Sequence, residues 1–149
     1  MIKLLLIVAL ISAAPAAFAK DYPWSAAQVL EPAALAKTLK QSPKEKQPEM
    51  FHVGFEPLFK TAHIPGSKYA GLAKEEAGLK KLRALLEKVP KSKEIVLYCG
   101  CCAFEKCPNL EPAFKEATGM GFENVKILNL PVNFNDAWTE KGYPTEASK

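Results

Sequence analysis

Four cysteines fall within nine residues, in Tyr98-Cys99-Gly100-Cys101-Cys102-Ala103-Phe104-Glu105-Lys106-Cys107-Pro108, and the rest of the chain has none. Thiols gathered this closely suit a small set of chemistries. One is capture and release of a sulfur atom, which needs a thiolate as nucleophile. A second is dithiol redox exchange, for which Cys99 and Cys102 have the C-x-x-C spacing. Cys107 is then a candidate resolving thiol for a species formed on Cys99. A third is a structural staple such as Cys102 to Cys107, which an oxidising compartment permits. Pairing of Cys101 with Cys102 is disfavoured, because adjacent Cα atoms lie about 3.8 Å apart, below the usual disulfide range. A fourth is metal binding. Structural zinc sites draw ligand pairs from two separated knuckles, so this short segment suits a soft ion such as Cu(I) better. No metal and no organic cofactor is assigned.

The segment is placed by its neighbours. Ile95-Val96-Leu97-Tyr98 is a continuous apolar run that reads as a buried strand. A helix is expected from about Leu110 to Thr118, with Ala113, Phe114 and Ala117 inward. Asn109 as its N-cap puts Pro112 at the third helical position, where the missing N–H costs little. Strand C-terminal ends are where α/β folds bind ligands, and a helix N-terminus favours a thiolate. A loop that points backbone N–H groups at Cys99 would act the same way. Together these features should draw the Cys99 thiol from about 8.5 toward neutrality.

The remaining elements alternate in type. Pro32 opens a helix carrying Leu35 and Leu39, and Gln41 to Pro48 is a polar loop. Glu49 to Val53 is a short strand, and Glu56 to Thr61 forms one or two helical turns. Leu79, Leu82, Leu85, Leu86 and Val89 mark one face of a helix ended by Pro90. Gly119 and Gly121 precede a strand from Asn124 to Leu128. This order predicts an α/β domain with a small parallel sheet flanked by helices on both faces.

The first nineteen residues read as a secretory signal peptide. Lys3 is the basic region, Leu4 to Ile11 an apolar run too short to span a bilayer, and Ala17-Phe18-Ala19 a small-x-small cleavage site. The expected divisions are 1–19 signal peptide, 20–30 N-terminal arm anchored by Trp24, and 31–149 the domain. The mature protein would be periplasmic or secreted, with no membrane attachment after cleavage. Removing Lys3 lowers the formal charge from +4 to +3. The lysines are scattered and Arg83 is the one arginine, so nucleic-acid binding has no footprint.

The order of motifs resembles the rhodanese family. It is carried by Ala62-His63-Ile64-Pro65-Gly66-Ser67, Ile95-Val96-Leu97-Tyr98-Cys99, Gly121-Phe122-Glu123-Asn124-Val125, Trp138 and Gly142-Tyr143-Pro144. The resemblance implies a sulfurtransferase that carries sulfane sulfur as a persulfide on Cys99. Its partners would be a small sulfur donor and a thiol or other nucleophilic acceptor. Cys101, Cys102 and Cys107 are then accessory thiols, and Gly100, Phe104, Glu105 and Lys106 are substrate or loop residues. Alternatives on the same fold are a thiol–disulfide or thiolate metal-binding module and a catalytically silent partner-binding domain.

Several positions depart from the family pattern. His52-Val53-Gly54 stands where family members often have Asp-Val-Arg. Phe104 occupies the place of a basic residue found five positions after the cysteine in many active members. The loop is about five residues longer, judged from the distance between Cys99 and Gly121-Phe122. Asn133-Phe134 replaces a Gly-Gly before the tryptophan. His63 is expected to be a buried imidazole bonded to backbone, and Trp138 a core residue or pocket wall.

Overall fold

A computed structural model describes residues 22–148. The signal peptide and the start at Lys20 therefore lie outside the described residues. Five strands, β1 (Val29–Leu30), β2 (Glu49–His52), β3 (Lys68–Tyr69), β4 (Ile95–Tyr98) and β5 (Val125–Leu128), form one sheet in the order β1-β5-β4-β2-β3. All the pairings are parallel. The helices are α1 (Pro32–Gln41), α2 (Glu56–Thr61), α3 (Glu76–Leu86) and α4 (Leu110–Gly119). Among the described residues no helix is long and apolar enough to cross a membrane.

The central strand is β4, and its four residues are all buried. The pleat sends alternate side chains to opposite faces, so a strand covered on both sides must be apolar throughout. Ile95 and Leu97 pack with Phe51, Val125 and Ile127 against Leu82 and Leu86 of α3 and Ala113 and Phe114 of α4. Val96 and Tyr98 pack with Met50 and Leu128 against Leu35 and Ala36 of α1, Ile64 and Trp138. Helices thus cover both faces, as the alternation of elements requires.

Prolines fix where helices begin. Pro32 is the first residue of α1 and Pro57 the second of α2, where no intrahelical N–H bond is lost. Pro112 is the third residue of α4, with Asn109 at the N-cap. Trp24 is buried, stacks on Tyr22 at 4.9 Å and meets Phe114 edge-on at 5.6 Å. The expected anchor is therefore in place. The stretch 20–30 is not wholly an arm, however: Val29 and Leu30 pair with Ile127 and Leu128 as an edge strand. Such a strand is recruited by the backbone of β5, not by any pattern of its own.

The turn from His63 to Ser67 is tied to β4. The Ile64 N–H donates to the Tyr98 hydroxyl at 3.3 Å, and Ser67 Oγ shares a hydrogen bond with that hydroxyl at 2.7 Å. Burial pushes the Tyr98 phenol up, so it stays protonated. His63 is buried, and its Nδ1 donates to the Phe59 carbonyl at 2.6 Å. Its expected structural role holds.

Candidate active site

The site forms where β2 and β4 end together. His52 is in register with Tyr98, and the Val53 N–H donates to the Tyr98 carbonyl at 2.8 Å. This continues the ladder one step past the strands and sets Gly54 against Cys99. A Cβ at Gly54 would lie 2.7 Å from the Cys99 carbonyl oxygen and 2.8 Å from Cys99 Sγ. Only a residue without a side chain fits there. His52 is 2 % exposed. Its Nδ1 accepts the Gly54 N–H at 3.3 Å, and the ring also hydrogen-bonds the Cys99 carbonyl. Burial pushes its pKa down to about 4. His52 is therefore a neutral brace on the cysteine's backbone.

Past Cys99 the chain turns at Gly100, whose φ of +82° lies in the left-handed region that favours glycine. A Cβ there would also press on Phe134 at 2.9 Å. Two backbone bonds pin the loop to the segment after β5. The Phe134 N–H donates to the Gly100 carbonyl at 3.0 Å, and the Phe104 N–H to the Leu130 carbonyl at 2.9 Å. Phe104 starts a 3-10 turn, Phe104–Lys106, and packs against the α3–α4 core. It anchors the loop. The turn then delivers Cys107 to the N-terminal end of α4.

Three sulfurs converge. The Sγ atoms of Cys99, Cys101 and Cys107 all lie within 4.8 Å of one another. Cys99 Sγ is 3.4 Å from Cys101 Sγ, and Cys101 Sγ is 3.3 Å from Cys102 Sγ. All four cysteines are free, so the staple considered between Cys102 and Cys107 is not formed. Cys99 is 1 % exposed and Cys107 8 %, while Cys101 and Cys102 are half-buried.

Asn109 is the residue that sequence reasoning placed correctly but misread in function. It stands at the N-cap of α4, yet its side chain makes no capping bond. It is 1 % exposed, and its Nδ2 points to Cys99 Sγ at 3.6 Å and Cys107 Sγ at 3.9 Å. Its Oδ1 accepts the Lys74 N–H at 3.0 Å. A fully buried asparagine must spend both ends of its amide, and this one spends them on the thiols and on the segment before α3. The signal the sequence offered was an asparagine two positions after Cys107.

The electrostatics depart from expectation. The Cys99 S–H donates toward Cys107, and burial adds to the effect, so the Cys99 thiol is pushed up. Cys107 is held down to about 6, first by that S–H, then by the backbone N–H groups of Asn109 and Leu110 and the Asn109 amide. The favourable field of the helix N-terminus thus falls on Cys107 instead of Cys99. The Cys101 N–H is the backbone donor left to Cys99. As a coupled pair, Cys99 and Cys107 lose one proton readily and resist losing the second. Burial and the neighbouring thiol Cys101 push Cys102 up to about 12.

A cleft of about 450 Å³ opens beside the cluster, walled by His52, Leu58, Gly100, Cys101 and Phe134 among others. Cys101 faces it, and Cys99 stands behind Cys101. Lys106 lies elsewhere, in a separate depression with Cys107 and Pro108. Glu105 is exposed, and its carbonyl accepts the Tyr22 hydroxyl at 2.8 Å. The structure thus gathers Cys99, Gly100, Cys101, Cys102 and Cys107 but does not bring Lys106 to the cleft. Arg83 joins Glu116 through two bonds of 2.6 and 3.0 Å, linking α3 to α4.

Such an arrangement supports sulfur chemistry in two forms. A buried S–H beside a stabilised thiolate can pass a sulfur atom or an electron pair between adjacent thiols. The same three sulfurs could also hold a soft metal ion. Thiolates about 2.3 Å from a tetrahedral zinc stand about 3.8 Å apart, comparable with the observed separations.

Comparison with known proteins agrees with this architecture. Residues 35–130 match the model of the rhodanese-like domain. Among solved structures, the Alr3790 protein of Anabaena sp. aligns over 80 % of this chain and 92 % of its own, at 19 % identity and a TM-score of 0.59. The BH2092 protein of Bacillus halodurans aligns over 80 % and 76 %, at 20 % identity and a TM-score of 0.60. A thiosulfate sulfurtransferase of Pseudomonas aeruginosa aligns over 81 % of this chain and 19 % of its own, at 21 % identity and a TM-score of 0.59. At these identities the likeness shows the fold. A search of curated protein sequences finds no match. The family match covers well over half of the chain, and with the parallel five-stranded sheet it places the protein in the rhodanese-like domain family.

Proposed function

We propose that this protein is an exported sulfurtransferase that holds sulfane sulfur as a persulfide on Cys99. The observation that carries the reading is the three-sulfur cluster at the end of β4, with Cys99 Sγ 3.4 Å from a cleft-facing thiol and hydrogen-bonded to another. Cys101 meets the donor. Its sulfur attacks the terminal sulfur as its proton passes to the Cys107 thiolate, the donor's remainder leaves with the bonding electron pair, and Cys101 becomes a persulfide anion. Cys99 then attacks the outer sulfur, and Cys101 departs as a thiol with the Cys99 proton. No oxidant is consumed in either step. Release to a thiol acceptor reverses the path.

Asn109 supplies an N–H donor to the sulfurs at rest and during transfer. Gly54 leaves the space that Cys99 occupies. The neutral His52 holds the Cys99 carbonyl, so the cysteine's backbone stays fixed while its sulfur reacts. Export to the periplasm or beyond is supported by the run Leu4 to Ile11 and the Ala17-Phe18-Ala19 site.

The test is a panel of the four single Ser variants incubated with a sulfane-sulfur donor, following both retained sulfur and product thiol. Cys99→Ser is expected to retain none after donor removal. Cys101→Ser should load slowly, and Cys107→Ser should weaken turnover while leaving some transfer. Full retention of sulfur by Cys99→Ser overturns the assignment. A second reading, a thiolate metal site, is favoured by the mutual 4.8 Å spacing of three sulfurs. It replaces the first if wild type holds a stoichiometric metal, loads no sulfur even when stripped of it, and loses the metal in the Cys99, Cys101 and Cys107 variants.

A further inference from the structure

The cleft beside Cys101 lacks any side chain of fixed charge. Leu58, Ala62 and Phe134 give it apolar walls, and Asn133, Asn135 and Thr61 add neutral hydrogen-bonding groups. Its two titratable side chains are Cys101 and His52, and burial keeps His52 uncharged near neutral pH. Among the described residues, no lysine or arginine lines the cleft. Lys60, on the same helix as Leu58, pairs with Glu56 at 3.3 Å, and Lys106 opens on a different depression.

Apolar surface continues outside. Leu58 is 42 % exposed, and Phe55, one helical turn earlier, is 44 % exposed. A small inorganic dianion entering here would shed hydration without meeting a counter-charge, and would approach a cluster that already carries a thiolate. Burying a charge without a partner is costly, whereas an apolar group gains from leaving water.

From this lining we infer that the cleft takes an organic sulfane-sulfur compound with an apolar body, presented to Cys101, and not a small inorganic dianion. The inference rests on the sulfur-transfer reading and adds the substrate class. With an organic thiosulfonate the first step balances as follows. Cys101 attacks the terminal sulfur as its proton passes to the Cys107 thiolate, the sulfur–sulfur bond of the donor breaks, and the sulfinate leaves with the electron pair. Cys101 is left as a persulfide anion. Leu58 and Phe134 hold the organic body.

The experiment compares benzenethiosulfonate with thiosulfate on the full mature protein, measuring the second-order rate of sulfur loading. Each rate is divided by that donor's rate with a small free thiol, which removes intrinsic reactivity. The expected result is a normalised preference of at least tenfold for benzenethiosulfonate. Leu58→Arg, at a half-exposed helix position, should lower that preference at least threefold by supplying the missing cation, while Leu58→Met retains it. A normalised preference for thiosulfate in wild type overturns the inference and leaves sulfur transfer intact. A preference unchanged in Leu58→Arg shows that the donor does not bind in this cleft, and overturns it likewise. Failure of both donors to load wild type removes the sulfur-transfer reading, and the inference with it.

Discussion

Replacing Gly54 by alanine tests how the fold makes room for the reactive cysteine. The added Cβ would sit 2.7 Å from the Cys99 carbonyl oxygen, 2.8 Å from Cys99 Sγ and 3.0 Å from His52 Cε1. Ordinary contact begins near 3.4 Å, so Cys99 must retreat by the difference, about 0.7 Å. Neither the carbonyl nor the sulfur can swing aside, because β2 and β4 are paired up to this point and the cysteine is enclosed. Overpacking of this kind costs about 1–3 kcal/mol. A displacement approaching 1 Å at a reacting atom lowers a rate by roughly 10- to 100-fold. The matched control is Gly119→Ala, in the last turn of α4, where a Cβ meets nothing within 4 Å. Helix propensity makes that change neutral to about 1 kcal/mol stabilising. The assays are urea denaturation of the reduced protein and the rate of sulfur loading. The reasoning is refuted if Gly54→Ala unfolds within about 0.5 kcal/mol of wild type and loads sulfur at the wild-type rate.

Three further predictions address other parts of the site. Asn109→Ala strips the Lys74 N–H of its acceptor and both sulfurs of a donor, and should cost about 1–3 kcal/mol in denaturant unfolding; loading should slow as well, and a variant loading at the wild-type rate would reduce Asn109 to a structural residue. His52 titrates near 4 when folded and near 6.5 when unfolded, so the unfolded chain takes up the extra proton between those values. Its contribution is therefore fully present above pH 6.5 and falls by about 3 kcal/mol as pH drops to 4; His52→Asn should flatten that part of the stability curve relative to wild type, and identical curves would contradict the neutral brace. N-terminal sequencing of the exported protein should begin near Lys20, and a membrane-bound form retaining Met1 would count against cleavage.

The parts of the fold legible in the sequence were those with a strong local cause. The apolar run Ile95 to Tyr98 had to be a strand covered on both faces, and it is the middle strand of five. Pro32 marked the first residue of α1, and Pro112 with Asn109 as N-cap marked the start of α4 at Leu110. The helix expected around Leu79 to Val89 is Glu76–Leu86, with Val89 buried just beyond its end. The edge strands β1 and β3 escaped notice, because two residues carry no periodicity and their pairing comes from β5 and β2. At the site, the cysteine spacing disclosed that thiols would gather, but not which would hold the proton. That depends on the 3-10 turn, which delivers Cys107 instead of Cys99 to the N–H groups of α4. The place of Gly54 was equally hidden, since a close approach between strand ends leaves no mark in either segment alone.

The central claim is that Cys99 holds the transferred sulfur, and the most direct measurement is the mass of the intact mature protein after reaction with a sulfane-sulfur donor. The run is made under non-reducing conditions, with the persulfide alkylated and located by fragmentation. The account predicts one added sulfur atom per chain in wild type, placed on Cys99, and none in Cys99→Ser. Sulfur located on Cys107 instead, or loading undiminished in Cys99→Ser, would contradict it.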